Sequence, residues 1–215
     1  MIKTIIFDFD GVLVESLDIK TAAFGKLFED KGKDVRNEVV KYHLDNSGVS
    51  RFEKIKYIYR EILKEALDEK TFVLLCDRFS SLVVEEVIKA PYVAGALELL
   101  EGYRRKYSFY ICSGTPLGEL EKIIKKRKID GYFEEVYGSP MRKEDIVRNI
   151  LKENRLRSDE TVYVGDAMSD YKAAESNAVR FIGRNTADKE GLFSDIDCIK
   201  IDDLEGLPRM LEQLG

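Results

Sequence analysis

The sequence predicts an α/β fold, in which a parallel sheet carries crossover helices and is interrupted early by a helical insertion. Short apolar runs without polar alternation recur along the chain, as in strands that are covered on both faces. Helical patterns lie between the later runs, which is the order expected of crossover connections. The stretch from about Glu15 to Ala90 breaks that order, because it contains helical patterns and no convincing strand.

Five apolar runs are predicted as strands, and four patterns between the later ones are predicted as helices. The predicted strands cover residues 4–7, 109–112, 161–164, 179–182 and 198–201. The predicted helices cover residues 95–105, 116–126, 143–154 and 169–177.

The insertion carries two clear amphipathic helices. Apolar residues recur there at i, i+3, i+7 and i+10, once at Phe52, Ile55, Tyr59 and Ile62 and once at Phe72, Leu75, Phe79 and Leu82. Ser50 and Glu53 form a capping-box pattern at the start of the first helix. Pro91 marks the return to the sheet. We therefore expect one domain made of residues 1–14 and 91–215, and a second, all-helical domain made of residues 15–90.

Composition excludes several classes of protein. Of the 215 residues, 44% are hydrophobic and 35% are charged, which is typical of a globular chain. A net charge of −5 argues against a nucleic-acid partner. No apolar run is long enough for a membrane span or a signal peptide. Three widely spaced cysteines do not suggest disulfides, so the cytoplasm is the expected location. The only histidine, His43, is expected to be a surface or half-buried side chain.

Paired carboxylates follow two of the predicted strands. Asp8 and Asp10 end the first strand, and residues i and i+2 of an extended chain point to the same side. Asp166 ends a later strand at the same edge of the sheet, with Asp170 four residues further on. Clustered carboxylates repel one another, and a divalent cation relieves that repulsion. Hard oxygen ligands suit Mg²⁺, so the sequence predicts a magnesium site.

A third strand end and a basic pair provide groups that bind anions. Ser113 and Gly114 open a helix for which Thr115 is expected as N-cap and Pro116 as first residue, and helix N-termini favour phosphate. Arg142-Lys143 precedes another helix, where either cation could neutralise a phosphate. Each motif alone is more often a turn, a helix cap or a solvated charge. Their joint occurrence at the ends of three strands indicates a phosphate site.

In this order, the motifs resemble those of the haloacid dehalogenase-like hydrolase superfamily, chiefly its phosphatases. The resemblance is carried by Asp8-Phe9-Asp10-Gly11-Val12-Leu13, by Ser113, by Lys143 and by the stretch from Gly165 to Asp170. It implies a Rossmann-like core with an inserted helical cap.

The resemblance also implies a mechanism of phosphate-monoester hydrolysis. Asp8 would be the nucleophile and Asp10 the general acid and base. Ser113, Gly114 and Lys143 would bind the phosphoryl group of a small phosphorylated metabolite. Mg²⁺ would be held by Asp8, the Asp10 backbone carbonyl, Asp166 and Asp170. The protein is expected to be a monomer or a homodimer.

The sequence leaves open which subgroup of the family this protein resembles most and which functional class it belongs to. Gly48-Val49-Ser50-Arg51 resembles a cap sequence of β-phosphoglucomutase and phosphoglycolate phosphatase relatives, in which the arginine lies near the substrate; Arg51 could instead be only a first-turn residue of its helix. A sugar-phosphate mutase is the main alternative, although Lys20 and Gly165 stand where that enzyme has His and Glu. A dehalogenase would leave Asp10 and Asp166 without a role. From a different class, the alternatives are a phosphoacceptor signalling domain and a binding protein.

Overall fold

The computed structural model describes residues 1–186 and 191–214, and within them the chain forms a six-stranded parallel sheet. The spatial order of the strands is β3-β2-β1-β4-β5-β6. Their bounds are β1 Thr4–Phe7, β2 Ser108–Pro116, β3 Glu135–Ser139, β4 Thr161–Gly165, β5 Arg180–Arg184 and β6 Ile199–Ile201. The predicted α/β fold class is confirmed.

The sequence does not predict strand β3, and the position of this strand at the edge of the sheet explains why. Its first three residues are only half-buried. Because the strand begins with Glu135 and contains Gly138, it lacks the continuous apolar run that predicts the other five strands.

Helices cover both faces of the sheet. Along β1, Ile5 and Phe7 face one apolar cluster and Ile6 faces another, as the alternation of side chains along a strand requires. The first cluster includes residues of α5 (Ala96–Tyr103), α6 (Leu117–Lys126) and α9 (Leu207–Gln213). The second includes residues of α7 (Lys143–Glu153) and α8 (Met168–Glu175).

Residues 15–90 contain helices and no strand. They are α1 (Leu17–Leu27), α2 (Lys33–Asp45), α3 (Arg51–Tyr57) with a π-helical continuation (Ile58–Leu63), and α4 (Glu69–Lys89). Ser50 caps α3, since its hydroxyl accepts the Glu53 N–H at 3.4 Å. None of the described helices is both long enough and apolar enough to cross a membrane.

The two connections between this helical segment and the sheet run side by side. The N–H of Glu15 donates to the carbonyl of Pro91 at 3.0 Å, and Val14 forms a bridge with Tyr92. We propose that residues 15–90 form a separate cap domain that is joined to the core through this paired connection.

Candidate active site

The register of the sheet brings three of the predicted strand ends together. Phe7 of β1 is level with Ile111 of β2 on one side and with Val164 of β4 on the other. Asp8 directly follows β1 and Asp166 directly follows β4, so both lie at the same edge of the sheet. This edge lies next to the point where the strand order reverses, which is where open α/β sheets bind ligands.

Asp8 is buried and paired with a buried lysine. Its side chain accepts the Phe9 N–H at 2.6 Å and the Lys143 ammonium at 2.8 Å. Burial, against the opposing effect of Lys143 and with smaller contributions from Asp170 and Asp10, raises the pKa of Asp8 to about 6. Burial disfavours the charge of Lys143, but Asp170 and Asp8 raise its pKa well above the ordinary value, so it remains a cation.

Asp8, Asp166 and Asp170 form a buried carboxylate cluster. One oxygen of each lies within 4.8 Å of the others. Asp170 is oriented by the Tyr163 hydroxyl at 2.9 Å, and its other oxygen accepts the N–H of Ala167 at 3.1 Å. Three carboxylate oxygens this close together suit a hard divalent cation such as Mg²⁺.

Two glycines make room for this cluster. A Cβ on Gly165 would overlap the side chain of Asp170, and a Cβ on Gly11 would lie 2.6 Å from Asp166 Oδ2. Gly11 also has a φ of 75°, which other residues rarely adopt. The contact at Gly165 explains why this chain cannot have glutamate there without moving Asp170.

Asp10 is held by three donors that the sequence analysis did not assign to the site. The Ser16 hydroxyl donates to one oxygen at 2.6 Å, the Thr115 hydroxyl donates to the other at 2.8 Å, and the Lys20 ammonium also donates to the second oxygen. Burial opposes ionisation of Asp10, but Lys20, Ser16 and Thr115 together lower its pKa below the ordinary value. Asp10 is therefore a carboxylate in this arrangement.

The prediction that Thr115 is the N-cap of helix α6 is wrong. Strand β2 continues through Pro116, which occupies the N-cap position, and α6 begins at Leu117. The Thr115 hydroxyl does not cap α6, because it donates a hydrogen bond to the Asp10 carboxylate. The signal was available in the sequence: Thr115 lies two residues after Ser113 in extended backbone and so points to the same side.

Ser113 and Gly114 lie at the end of β2, beside the cap. The Ser113 hydroxyl is buried and accepts the N–H of Thr115 at 3.1 Å. A Cβ on Gly114 would lie 2.6 Å from the carbonyl oxygen of Gly48, and a Cβ on Gly48 would overlap the Ser169 hydroxyl. The absence of side chains at both glycines lets the 46–50 loop of the helical segment lie directly on the sheet edge.

The structure separates the two cations of the Arg142-Lys143 pair. Arg142 is 69% exposed and pairs with Glu144 on the surface, whereas Lys143 is 6% exposed and reaches Asp8. Of the two, only Lys143 lies where it could contact a phosphoryl group. Its role in binding one stays a prediction.

Arg51 lies at the boundary between the helical segment and the core. Its guanidinium donates to the Ser80 hydroxyl of α4 at 2.6 Å and to the Glu119 carboxylate of core helix α6. It also lies over the Phe79 ring, 4.6 Å from the centroid. Arg51 borders the same cavity as Asp8 and Asp10, so its predicted place near a substrate is compatible with these contacts.

A cavity of about 50 Å³ lies between the helical segment and the sheet edge. Acidic and basic side chains line it together, among them Asp8, Asp10, Lys20, His43, Arg51 and Lys54. His43 is 7% exposed, so the expectation of a surface or half-buried histidine is wrong. Its ring packs on Phe24 and its Nδ1 lies 2.9 Å from the Lys54 ammonium, contacts between helices that no local pattern indicates.

Comparison with known proteins agrees with this arrangement. Among curated proteins, a 5'-nucleotidase of Pseudomonas aeruginosa is 30% identical over 95 residues, which cover 41% of this chain and 43% of that protein. This match therefore spans less than half of the relative's length.

Solved structures resemble the whole chain. The β-phosphoglucomutase of Clostridium difficile superposes with a TM-score of 0.80 at 18% identity, covering 100% of this chain and 97% of the other. A predicted phosphoglycolate phosphatase of Haemophilus somnus 129pt superposes with a TM-score of 0.73 at 20% identity, covering 97% of each chain. At these identities the likeness concerns the fold.

The family profile described as haloacid dehalogenase-like hydrolase matches residues 5–184, which is most of the chain. This range contains the carboxylate cluster, Ser113 and Lys143. The enzyme class predicted from the motifs is confirmed at the level of a hydrolase of the haloacid dehalogenase-like type. The chain belongs to the haloacid dehalogenase-like hydrolase family.

Proposed function

We propose that this enzyme is a Mg²⁺-dependent phosphate-monoester hydrolase that acts on a small phosphorylated metabolite through a phosphorylated Asp8. The observation that carries the proposal is the pairing of Asp8 with Lys143 beside a second, separately held carboxylate, Asp10. Asp8 is thus positioned to attack phosphorus as the nucleophile, and Asp10 to give and accept protons. Two-step hydrolysis needs both roles.

In the first step, an oxygen of Asp8 attacks phosphorus and the ester oxygen leaves. Lys143 and the end of β2 at Ser113 and Gly114 hold the phosphoryl oxygens, which lowers the cost of the charge that develops there. The Lys20 ammonium, hydrogen-bonded to the Asp10 carboxylate, passes a proton through that carboxylate to the leaving oxygen and becomes a neutral amine.

In the second step, water attacks phosphorus, the bond between phosphorus and the Asp8 oxygen breaks, and inorganic phosphate leaves. Asp10 accepts the proton of this water and passes it to the neutral Lys20, which restores the ammonium. The low pKa of Asp10 keeps it in the carboxylate form, which is the form that accepts a proton. The Ser16 and Thr115 hydroxyls fix its orientation. The helical cap closes the cavity and keeps bulk water away from the reacting groups.

The residues that would hold Mg²⁺ are Asp8, Asp166 and Asp170, with the backbone carbonyl of Asp10. When bound, the ion neutralises the phosphoryl group and the carboxylates around it. Asp170 is already engaged by Lys143 at 2.6 Å and by Tyr163, so we assign it to the ion through water or as support for the other ligands.

We further propose that the enzyme works in the cytoplasm, without a nucleic-acid or membrane partner, as a monomer or homodimer. The three cysteines of the chain are free thiols, which suits a reducing compartment.

Release of inorganic phosphate from a panel of substrates tests this proposal. The panel comprises sugar phosphates, phosphoglycolate, nucleoside monophosphates and an aryl phosphate, each with Mg²⁺. We expect release from at least one of them by the native enzyme and none by Asp8→Asn. Beryllofluoride should attach to Asp8 in a crystal structure; attachment to another residue would refute the assignment of the nucleophile.

A second experiment distinguishes a hydrolase from a mutase. β-Glucose 1-phosphate is supplied with a trace of the 1,6-bisphosphate. Because Lys20 and Gly165 stand where a mutase would have His and Glu, we expect water to be the main acceptor. Faster accumulation of glucose 6-phosphate than of inorganic phosphate would overturn the hydrolase assignment.

A further inference from the structure

The carboxyl end of β5 carries a buried arginine that the proposed mechanism does not use. Arg184 is 8% exposed and is the last residue of its strand. Gly165 of β4 is level with Gly183 of β5, so Arg184 lies at the same edge of the sheet as Asp166. Burial of a charged side chain is costly unless the charge is paired and hydrogen-bonded, so the partners of this guanidinium indicate what it does.

Arg184 binds both ends of one short turn, residues 11–15. Its Nη1 donates to the Gly11 carbonyl at 2.8 Å and to Glu15 Oε2 at 3.1 Å, and its Nη2 donates to Glu15 Oε1 at 2.6 Å. Its Nε donates to the Asp202 carbonyl at 2.9 Å. The planar guanidinium makes these bonds in fixed directions, which a lysine ammonium could not reproduce. The turn is therefore held to the sheet at its first and last residues.

The segment held by this guanidinium joins the proton-transferring carboxylate to one of its donors. Gly11 directly follows Asp10. Glu15 directly precedes Ser16, whose hydroxyl donates to Asp10 at 2.6 Å. The N–H of Gly11 donates to the Val14 carbonyl at 2.8 Å, so the backbone of this glycine is held through both its N–H and its carbonyl. The positions of Asp10 and Ser16 thus depend on two anchors that meet in one side chain.

We propose that Arg184 is a positioning residue for proton transfer: by holding Gly11 and Glu15, it keeps the Asp10 carboxylate directed at the leaving oxygen. This inference rests on the proposed function and adds a residue to it. A displacement of about 1 Å at a reacting group can lower a rate about 100-fold, so the anchoring of this turn matters for catalysis. Arg184 acts through the turn and has no part in the attack of Asp8 on phosphorus.

Two kinds of phosphate ester distinguish the positioning of Asp10 from a general structural role. The leaving oxygen of an alkyl phosphate needs the proton that passes through Asp10, whereas p-nitrophenolate leaves without one. Arg184→Met keeps an unbranched side chain and removes the guanidinium. We expect it to lower kcat/KM about 10- to 100-fold for the best alkyl ester of the panel, and less than about threefold for p-nitrophenyl phosphate.

A milder variant and a control accompany Arg184→Met. Glu15→Ala removes a side chain that is 40% exposed and leaves the bond from Arg184 to Gly11 in place. It should lower the ratio of alkyl to aryl kcat/KM at least about threefold. Arg180→Met changes an exposed arginine of the same strand and should keep the native ratio. Thermal unfolding reports whether each variant folds; should Arg184→Met not fold, the ratio in Glu15→Ala decides.

An unchanged ratio of alkyl to aryl kcat/KM in the folded variants would overturn the inference while the proposed function stands. This holds whether both values stay native or fall equally, since an equal fall is what a merely structural arginine would give. A native enzyme that releases phosphate from no alkyl ester would instead refute the proposed function.

Discussion

The Lys143 ammonium lies 2.8 Å from Asp8 Oδ2, and this contact joins helix α7 to the end of the central strand β1. The same ammonium lies 2.6 Å from Asp170 Oδ1. One cation therefore serves two buried carboxylates, which leaves the cluster short of positive charge. Burial is the main cause of the raised pKa of Asp8, the neighbouring carboxylates add to it, and the shortage of positive charge favours binding of a cation at the site.

The raised pKa of Asp8 predicts that the free energy of unfolding of the metal-free protein falls as the pH rises. Because the folded value, about 6, exceeds the ordinary 3.8, protonated Asp8 stabilises the fold, and that contribution is lost as pH rises through 6. The Asp8→Asn variant has a neutral amide at this position, so it buries no charge there at any pH. In EDTA, its free energy of unfolding should therefore rise relative to the native protein by on the order of 2 kcal/mol between pH 4.5 and pH 7.5.

Urea unfolding at the two pH values measures this difference. Asp77→Asn removes an exposed carboxylate outside the site and serves as the control substitution. A difference for Asp8→Asn that stays constant or shrinks as pH rises would contradict the raised pKa.

The carboxylate cluster predicts that turnover requires a divalent metal. EDTA should abolish release of phosphate, and Mg²⁺ should restore it. Since the ion binds only the folded cluster, Mg²⁺ should also raise the melting temperature of the native protein. Asp166→Asn, which removes one of the three clustered carboxylates, should weaken both effects. Undiminished turnover in metal-free buffer would rule out the metal site.

The parts of the site that follow strands could be predicted from the sequence. The positions of Asp8, Ser113 and Asp166 depend only on parallel strands ending at one edge, and a buried strand leaves a clear apolar run. The register of β1 with β2 and β4 then places them together without further information. Lys143 was harder to assign, because only its burial separates it from Arg142.

The contributions of the cap could not be predicted in the same way. Lys20 and Ser16 are four residues apart and share one face of the start of α1, which is a visible signal. That this face meets Asp10 depends on how α1 lies against the sheet. The contacts of His43, Lys54 and Arg51 likewise join helices far apart in sequence, and helical periodicity shows only that a residue is buried.

Lys20 is predicted to supply a proton through Asp10. Lys20→Met should then lower kcat/KM most for the substrates whose leaving oxygen most needs that proton. For an alkyl phosphate, whose leaving oxygen is strongly basic, we expect kcat/KM to fall about 10²-fold, the lower range for general acid catalysis. For p-nitrophenyl phosphate, whose leaving group departs unprotonated, the loss should be severalfold smaller.

Steady-state kinetics with the two substrates measures this. Lys26→Met, an exposed position later in α1, is the matched control and should behave as the native enzyme does. Equal losses for both substrates would mean that Lys20 holds Asp10 or the cap in place without taking part in proton transfer.

Arg51 connects three elements, and the connection predicts how its loss affects binding. Its guanidinium contacts Ser80 and Glu119, and the Ser80 hydroxyl donates to the other oxygen of Glu119 at 2.7 Å. The side chains of Arg51 and Glu119 are only 4% and 9% exposed. The three residues thus form a buried network that ties cap helices α3 and α4 to core helix α6.

If this network keeps the cap closed over the substrate, removing either charged partner should weaken binding more than chemistry. We expect Arg51→Ala to raise KM about 10-fold with a smaller fall in kcat, the pattern of lost uniform binding. Glu119→Gln should raise KM in the same direction, and the double variant should show much less than the sum of the two effects, because both substitutions break one contact. Kinetics of the two single variants and the double variant measure this coupling. A raised KM in Arg51→Ala together with an unchanged KM in Glu119→Gln would mean that Arg51 acts on the substrate directly and that its pairing with α6 does not hold the cap closed.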